Sequence, residues 1–221
     1  MAKKWKISRS EQDQLAYLSQ TRAAAAWKEG FFSELVIPLG GLDKDNNVRG
    51  DTTLEKMAKL SPAFDRGPEG TLTAGNSSAL TDGAACVLLA SEDWAKDRGL
   101  PILAYLTHYE TAAVEFTKAE GLLMAPAYAV PKMLNKAGLK LKDFDFYEIH
   151  EAFAAQVLCT LKAWEDEPFC RERLHVNSSL GPIDRQKLNV KGGSIALGHP
   201  FAATGARIVS TLAKMLHDKG G

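Results

Sequence analysis

Hydrophobic and polar positions change rhythm several times along the chain, and each change marks a predicted element. Ser8 and Glu11 stand three residues apart ahead of a stretch free of Gly and Pro. That capping-box spacing predicts a helix from there to about Lys28, with Gly30 as its stop. Residues 31–70 lose the regularity: Gly40-Gly41, an Asp-Lys-Asp-Asn-Asn cluster and prolines read as loops on a surface subdomain. Beyond Thr71 the small-residue loop Gly75-Asn76-Ser77-Ser78 leads into the continuous apolar run Ala84 to Ala90. Such a run suits a strand buried on both faces, and Ile102 to Leu106 is a second strand candidate.

The second half alternates more regularly. Val130, Leu134 and Ala137 recur at i, i+4 and i+7 and predict a helix over Pro126 to Ala137, closed by Gly138, with Pro131 expected in its first turn. Phe144 to Ile149 reads as a strand, followed by a helix from near Glu151 with Phe153, Val157, Leu161 and Trp164 along one stripe. Asn189 to Leu197 suggests another short strand, broken by Gly192-Gly193, and a last helix starts just after Pro200 and ends at Gly220-Gly221. Helices alternating with strands argue for an α/β architecture. There is no internal repeat or low-complexity tract. A strand is expected after the last helix, so the sheet reads as unfinished.

Composition narrows the function classes. Lys plus Arg and Asp plus Glu number 27 each among 221 residues, so the net charge is zero and the electrostatic footprint of a nucleic-acid binder is missing. No apolar run approaches the roughly 18 residues of a membrane span. The basic start Met-Ala-Lys-Lys-Trp-Lys is not followed by an apolar signal region. Cys86, Cys159 and Cys170 are odd in number and lack metal-ligand spacing, which reads as a reduced, intracellular protein.

Three strings carry candidate chemistry. In Gly192-Gly193-Ser194-Ile195-Ala196-Leu197-Gly198-His199-Pro200, continuing to Arg207, His199 stands between a glycine that permits close approach and a proline that disfavours helical geometry before it. Its imidazole is expected in the turn leading into a helix N-terminus, whose dipole disfavours imidazolium; neutral His199 would then serve as a base. A lone histidine in a glycine-rich turn is more often structural. In Glu148-Ile149-His150-Glu151-Ala152-Phe153, a strand gives way to a helix, the place where ligands gather in open α/β sheets. His150 would face that crevice; taken alone, the pair also reads as a helix cap with Glu151 complementing the dipole. Adjacent His150 and Glu151 lack the spacing of a helical zinc site. The third string, Thr73 to Ala84, is by itself only a small-residue loop entering an apolar run, without a phosphate-loop pattern.

In this order and spacing the three strings resemble the thiolase family, and most of all its branch containing the β-subunit of the fatty-acid β-oxidation trifunctional enzyme. Most thiolases carry Asn-Glu-Ala-Phe, and that branch His-Glu-Ala-Phe, as at His150 to Phe153. The similarity extends to Asp51 through Leu60 and Met124 through Ala129. The resemblance implies a layered α-β-α-β-α fold, here only in part, and acyl transfer between a cysteine and coenzyme A or an acetyl-CoA carbanion. In that chemistry the residue matching His199 activates the nucleophilic cysteine. His199 and a water held by the residue matching His150 stabilise the enolate oxygen. Ser78 matches a residue that hydrogen-bonds the pantetheine arm, and Phe153 one that lines the acyl pocket.

Against the family pattern, both catalytic cysteines are missing; Cys86 in its strand, Cys159 and Cys170 match neither. The resemblance divides the chain into residues 1–80, part of the loop domain covering coenzyme A; 81–100, the last strand and helix of an absent N-terminal half; and 101–221, a C-terminal half without its final strands. The strand at Ala84 to Ala90 would then have lost its neighbours, and the isolated chain is expected to be an inactive fragment. No cofactor is expected to be permanently bound, coenzyme A and acyl-CoA being substrates. The intact enzyme is expected to be a homo-oligomer, with a hydratase-dehydrogenase subunit as a further partner. The cytoplasm is the default compartment, and a mitochondrial address would precede this N-terminus. A non-catalytic module binding coenzyme A or a partner chain is the alternative; a ketoacyl synthase fits the His-Glu-Ala-Phe and Gly-His-Pro strings less well.

Overall fold

The computed structural model describes residues 1–117 and 121–220. Eight α-helices lie among them: α1 Arg9–Lys28, α2 Leu54–Ala58, α3 Glu92–Asp97, α4 Ala125–Ala137, α5 Ala154–Glu165, α6 Glu167–Glu172, α7 Ser194–Leu197 and α8 Thr204–Lys219. The capping box forms as expected: Glu11 N donates to Ser8 Oγ at 3.2 Å, and Ser8 N donates to Glu11 Oε2 at 2.7 Å. Gly30 ends the helix region at φ +78°, in the left-handed range open to glycine. Residues 31–70, expected to be irregular, also hold a short 3₁₀ turn at Phe31–Glu34 and the single-turn α2.

The interior is organised around α5, buried from Ala154 to Trp164 except at Lys162. The expected stripe of Val157, Leu161 and Trp164 is only part of its buried surface, because α1, α4 and α6 all pack on it. Pro126 sits at the start of α4, but Pro131 falls inside the helix and not in its first turn. A proline there removes the hydrogen bond to the carbonyl four residues back. That carbonyl, Ala127 O, instead accepts the Trp164 indole N–H at 3.3 Å, which ties α4 to α5.

The expected strands need correction. Among the described residues the pairing is limited to isolated bridges: Leu39 with Leu42, Pro62 with Thr73, Ser77 with Phe153, and Tyr147 with Leu188 in parallel. Phe144 to Ile149 therefore lies beside residues 187–189 through one bridge, with Tyr147 N donating to Lys187 O at 2.9 Å and Asn189 N to Tyr147 O at 2.8 Å. The Asn189 side chain continues the pairing, accepting from Ile149 N at 2.8 Å and donating to Ile149 O at 2.9 Å. Ser194 to Leu197, expected at the end of a strand, is the helical turn α7. Ala84 to Ala90, expected as a doubly buried strand, is largely exposed and unpaired, with Leu88 71% accessible. Cys86 is exposed with it. Ile102 to Leu106 likewise carries no strand pairing. The apolar run records burial potential, and burial needs a facing layer.

α8 begins four residues after Pro200 and stops at Gly220 with φ +79°; Gly221 lies outside the described residues. No described helix is long and apolar enough to cross a membrane.

Candidate active site

α1 is the platform. Apart from Leu15, its buried side is made of small and polar residues, among them Ala16, Ser19, Gln20, Ala23 and Ala26. Small side chains let the 189–197 segment press onto the helix: a Cβ on Gly192 would lie 2.6 Å from Ala23 Cβ and 2.7 Å from Ser19 O. Ser19 Oγ accepts from Gly193 N at 3.0 Å and donates to Glu151 Oε2 at 2.6 Å. Glu151 is almost fully buried and also accepts from Asn189 Nδ2 at 2.7 Å and Ile195 N at 3.2 Å. It therefore does not cap α5, whose first turn contains no acidic residue; it pins the 189–195 segment. Burial pushes its carboxyl pKa up, and the hydrogen bonds from Ser19 and Asn189 hold that rise back.

On this frame the three strings meet. Ser78 N donates to Ala152 O at 3.0 Å, and Ser77 bridges to Phe153. His199 N donates to Ala79 O at 2.9 Å. Gly198 has φ +83°, and a Cβ there would meet Thr81 at 2.6 Å, so only glycine turns the chain at this point. The rings of His150 and His199 come within 4.1 Å, centroid to centroid, and Phe201 lies 4.9 Å from His199. His150 Nδ1 is 2.7 Å from Ser194 Oγ, and His199 Nδ1 is 2.8 Å from Thr204 Oγ1, on the first residue of α8. Both imidazoles are half-buried. Ser78 and Phe153 are half-buried beside them in the chain path, and the Phe153 ring packs edge-on to Phe64 at 5.4 Å. His150, His199, Ser78 and Phe153 thus share one neighbourhood, while Cys159 and Cys170 are buried elsewhere in α5 and α6.

Burial, the neighbouring His199 and the Arg207 charge lower the His150 pKa to about 4, so its ring is neutral at physiological pH. Burial raises the Cys159 thiol to about 11 and also raises Cys170, the opposite of what a thiolate nucleophile needs. Among the described residues no cysteine is hydrogen-bonded to either histidine. A cleft of about 590 Å³ opens away from the pair, between α1 and the 185–189 turn, lined by Leu15, Leu18, Arg22 and Leu188 but by neither histidine.

Sequence reasoning gave no role to Ser194, Thr204, Arg207 or Glu148. Arg207, in the first turn of α8, reaches inward and donates from Nη2 to Ser194 Oγ at 2.8 Å. A lone arginine after a small-residue turn was the available signal. Beside it, burial holds the Glu148 carboxyl up at about 8, with Arg207 opposing. Glu148 should therefore stay protonated in the folded state where the unfolded chain, titrating near 4.5, has already ionised. Native protein then binds more protons between these values, and stability falls as pH rises. His150, lowered from 6.5 to about 4, works in the opposite sense below pH 6.5, so the Glu148 contribution is cleanest from pH 6.5 to 8. Urea unfolding across that window should show a loss of up to about 2 kcal/mol that shrinks in Glu148→Gln. Equal slopes for the two proteins would show Glu148 to be ionised in the fold.

Two histidine rings from separate segments thus meet at one place, and the fold around them has counterparts among known proteins. The family model for the thiolase C-terminal domain matches residues 100–221, and that for the thiolase N-terminal domain matches residues 1–93. A 3-ketoacyl-CoA thiolase of Photobacterium profundum is 48% identical over 227 aligned positions, covering 100% of this chain and 51% of that protein. The crystal structure of the Bacillus anthracis acetyl-CoA acetyltransferase matches with a TM-score of 0.79 at 36% identity, over 99% of this chain and 52% of that one. Human mitochondrial 3-ketoacyl-CoA thiolase in complex with CoA matches with a TM-score of 0.78 at 34% identity, over 100% of this chain and 51% of that one. The chain belongs to the thiolase family and has its fold. It spans about half the length of the curated relatives it matches.

Proposed function

We propose that this chain carries the histidine side of a thiolase active site, serving thiolysis of 3-ketoacyl-CoA to acetyl-CoA and a shortened acyl-CoA, or the reverse condensation, in fatty-acid β-oxidation. The observation that supports this most is the 4.1 Å approach of His150 and His199, brought together from two separate strings with the Ser78 and Phe153 segments alongside. In this reading His199 takes the proton of a nucleophilic thiol, and the two histidines receive the oxygen charge that develops at the acetyl group. Ser78 holds the pantetheine arm and Phe153 borders the acyl chain. Residues 1–80 cover coenzyme A, residues 81–100 belong to the sheet of the first half, and 101–221 form the second half. The thiol comes from outside these residues, since the buried Cys159 and Cys170 are held as thiols and the exposed Cys86 is hydrogen-bonded to neither histidine. The intact enzyme is a homo-oligomer that works beside a hydratase-dehydrogenase subunit.

The test is thiolysis of acetoacetyl-CoA by the purified chain, followed as loss of enolate absorbance. No turnover is expected from the chain alone, and turnover should appear when the segments of a full-length relative that this chain does not span are added. Turnover by the chain alone would overturn the assignment of the thiol. Coenzyme A binding with no gain on complementation would favour a non-catalytic binding module.

A further inference from the structure

The buried polar chain behind His150 is the feature that the thiolase reading leaves without a task. Ser194 Oγ has two partners, Arg207 Nη2 at 2.8 Å and His150 Nδ1 at 2.7 Å, and Ser194 is wholly buried. A guanidinium can only donate, and it does so at any physiological pH. Ser194 Oγ therefore accepts from Arg207, which leaves its single O–H to be placed. If His150 carried its proton on Nδ1, the serine would accept twice, and its own hydrogen, on a wholly buried side chain, would point at no other acceptor among the described residues. A buried donor left without a partner is the costly arrangement. The proton order that uses both the acceptor and the donor of Ser194 runs one way: Arg207 Nη2–H to Ser194 Oγ, then Ser194 O–H to His150 Nδ1.

We propose that Arg207 and Ser194 are positioning residues that lock His150 as the Nε2–H tautomer, making Nε2 the fixed hydrogen-bond donor of the ring. Arg207 acts through the serine and also disfavours imidazolium, so the ring is held neutral as well as oriented. His199 has the contrasting support. Thr204 Oγ1 faces Pro200 O at 3.4 Å as an acceptor for its own proton, so it can accept from His199 Nδ1 at 2.8 Å. One imidazole is thereby supplied with a proton donor behind it and the other with an acceptor. The catalytic meaning rests on the function proposed above: a water or enolate oxygen served by His150 needs a donor, and a tautomer that switched would offer it a lone pair instead.

The tautomer is read directly from two-bond proton–nitrogen correlations of the histidine rings in uniformly ¹⁵N-labelled chain, with His150 assigned by the signals lost in His150→Asn. The wild type should show a protonated Nε2 and a bare Nδ1. Ser194→Ala should give a mixture of tautomers. Arg207→Gln should do the same, because an amide can accept from the serine and releases its proton, whereas Arg207→Lys, a donor only, should keep the wild-type pattern. A wild-type ring protonated on Nδ1 would overturn the proposal. So would an unchanged ring in Arg207→Gln, and this comparison stands even if Ser194→Ala fails to fold. In the complemented enzyme Arg207→Gln should lower kcat by about tenfold to a hundredfold with KM little changed. Complementation that yields no activity in any protein would fail the thiolase reading and leave the tautomer result to decide this one.

Discussion

Replacing His199 by alanine should reduce thiolysis in the complemented enzyme by roughly 10²- to 10⁴-fold, the usual worth of a positioned general base. The expectation follows from how the ring is held. The main chain at His199 is fastened to Ala79 O, the turn before it is open only to glycine, and Thr204 orients Nδ1. Removing the ring leaves those backbone anchors in place, so the unfolding midpoint should move little while turnover collapses. The loss should fall on kcat and kcat/KM together, because the ring acts on the reacting atoms and not on the body of the substrate. A His199→Ala enzyme within a few-fold of wild type would place the base elsewhere and remove the main support for the proposed function.

The largest effect on stability is expected at Glu151, although it stands between His150 and the helix that follows. Glu151→Ala would strand the Ser19 hydroxyl, the Asn189 amide and the Ile195 N–H, all aimed at one buried carboxyl group. Orphaned buried donors cost about 1–3 kcal/mol each, so a loss of about 3 kcal/mol or more is expected in urea unfolding. Gly193→Ala should do similar damage from the other side, since a Cβ there would sit 2.3 Å from the Glu151 carboxyl carbon. The two changes break the same joint, so the double variant should lose clearly less than the sum of the singles. Additive losses, or a Glu151→Ala cost below about 1 kcal/mol, would mean that the Glu151 carboxyl does not hold α1 to the 189–195 segment.

Some of this was legible from the residues in order. The capping box at Ser8 and Glu11, the stop at Gly30, the α4 periodicity ending at Gly138 and the final Gly220 are local signals, because a helix satisfies its hydrogen bonds within itself. The two histidine strings were also visible, since His-Glu-Ala-Phe and Gly-His-Pro are contiguous and their resemblance to thiolases is specific. Strand pairing was not legible. The run Ala84 to Ala90 has the composition of a doubly covered strand yet lies exposed, because a strand is completed by a neighbour and sequence alone does not supply one. Pro131 was misplaced for a related reason: an interior proline is tolerable when the carbonyl it frees finds a donor, and that donor, Trp164, is 33 residues away in the chain. Sequence by itself determined the family and the four long helices, and it singled out the two histidines. Only the tertiary structure decided that Glu151 is an anchor and not a cap, that Ser194 and Arg207 stand behind His150, and that the two rings meet, because each of these depends on contacts between residues distant in sequence.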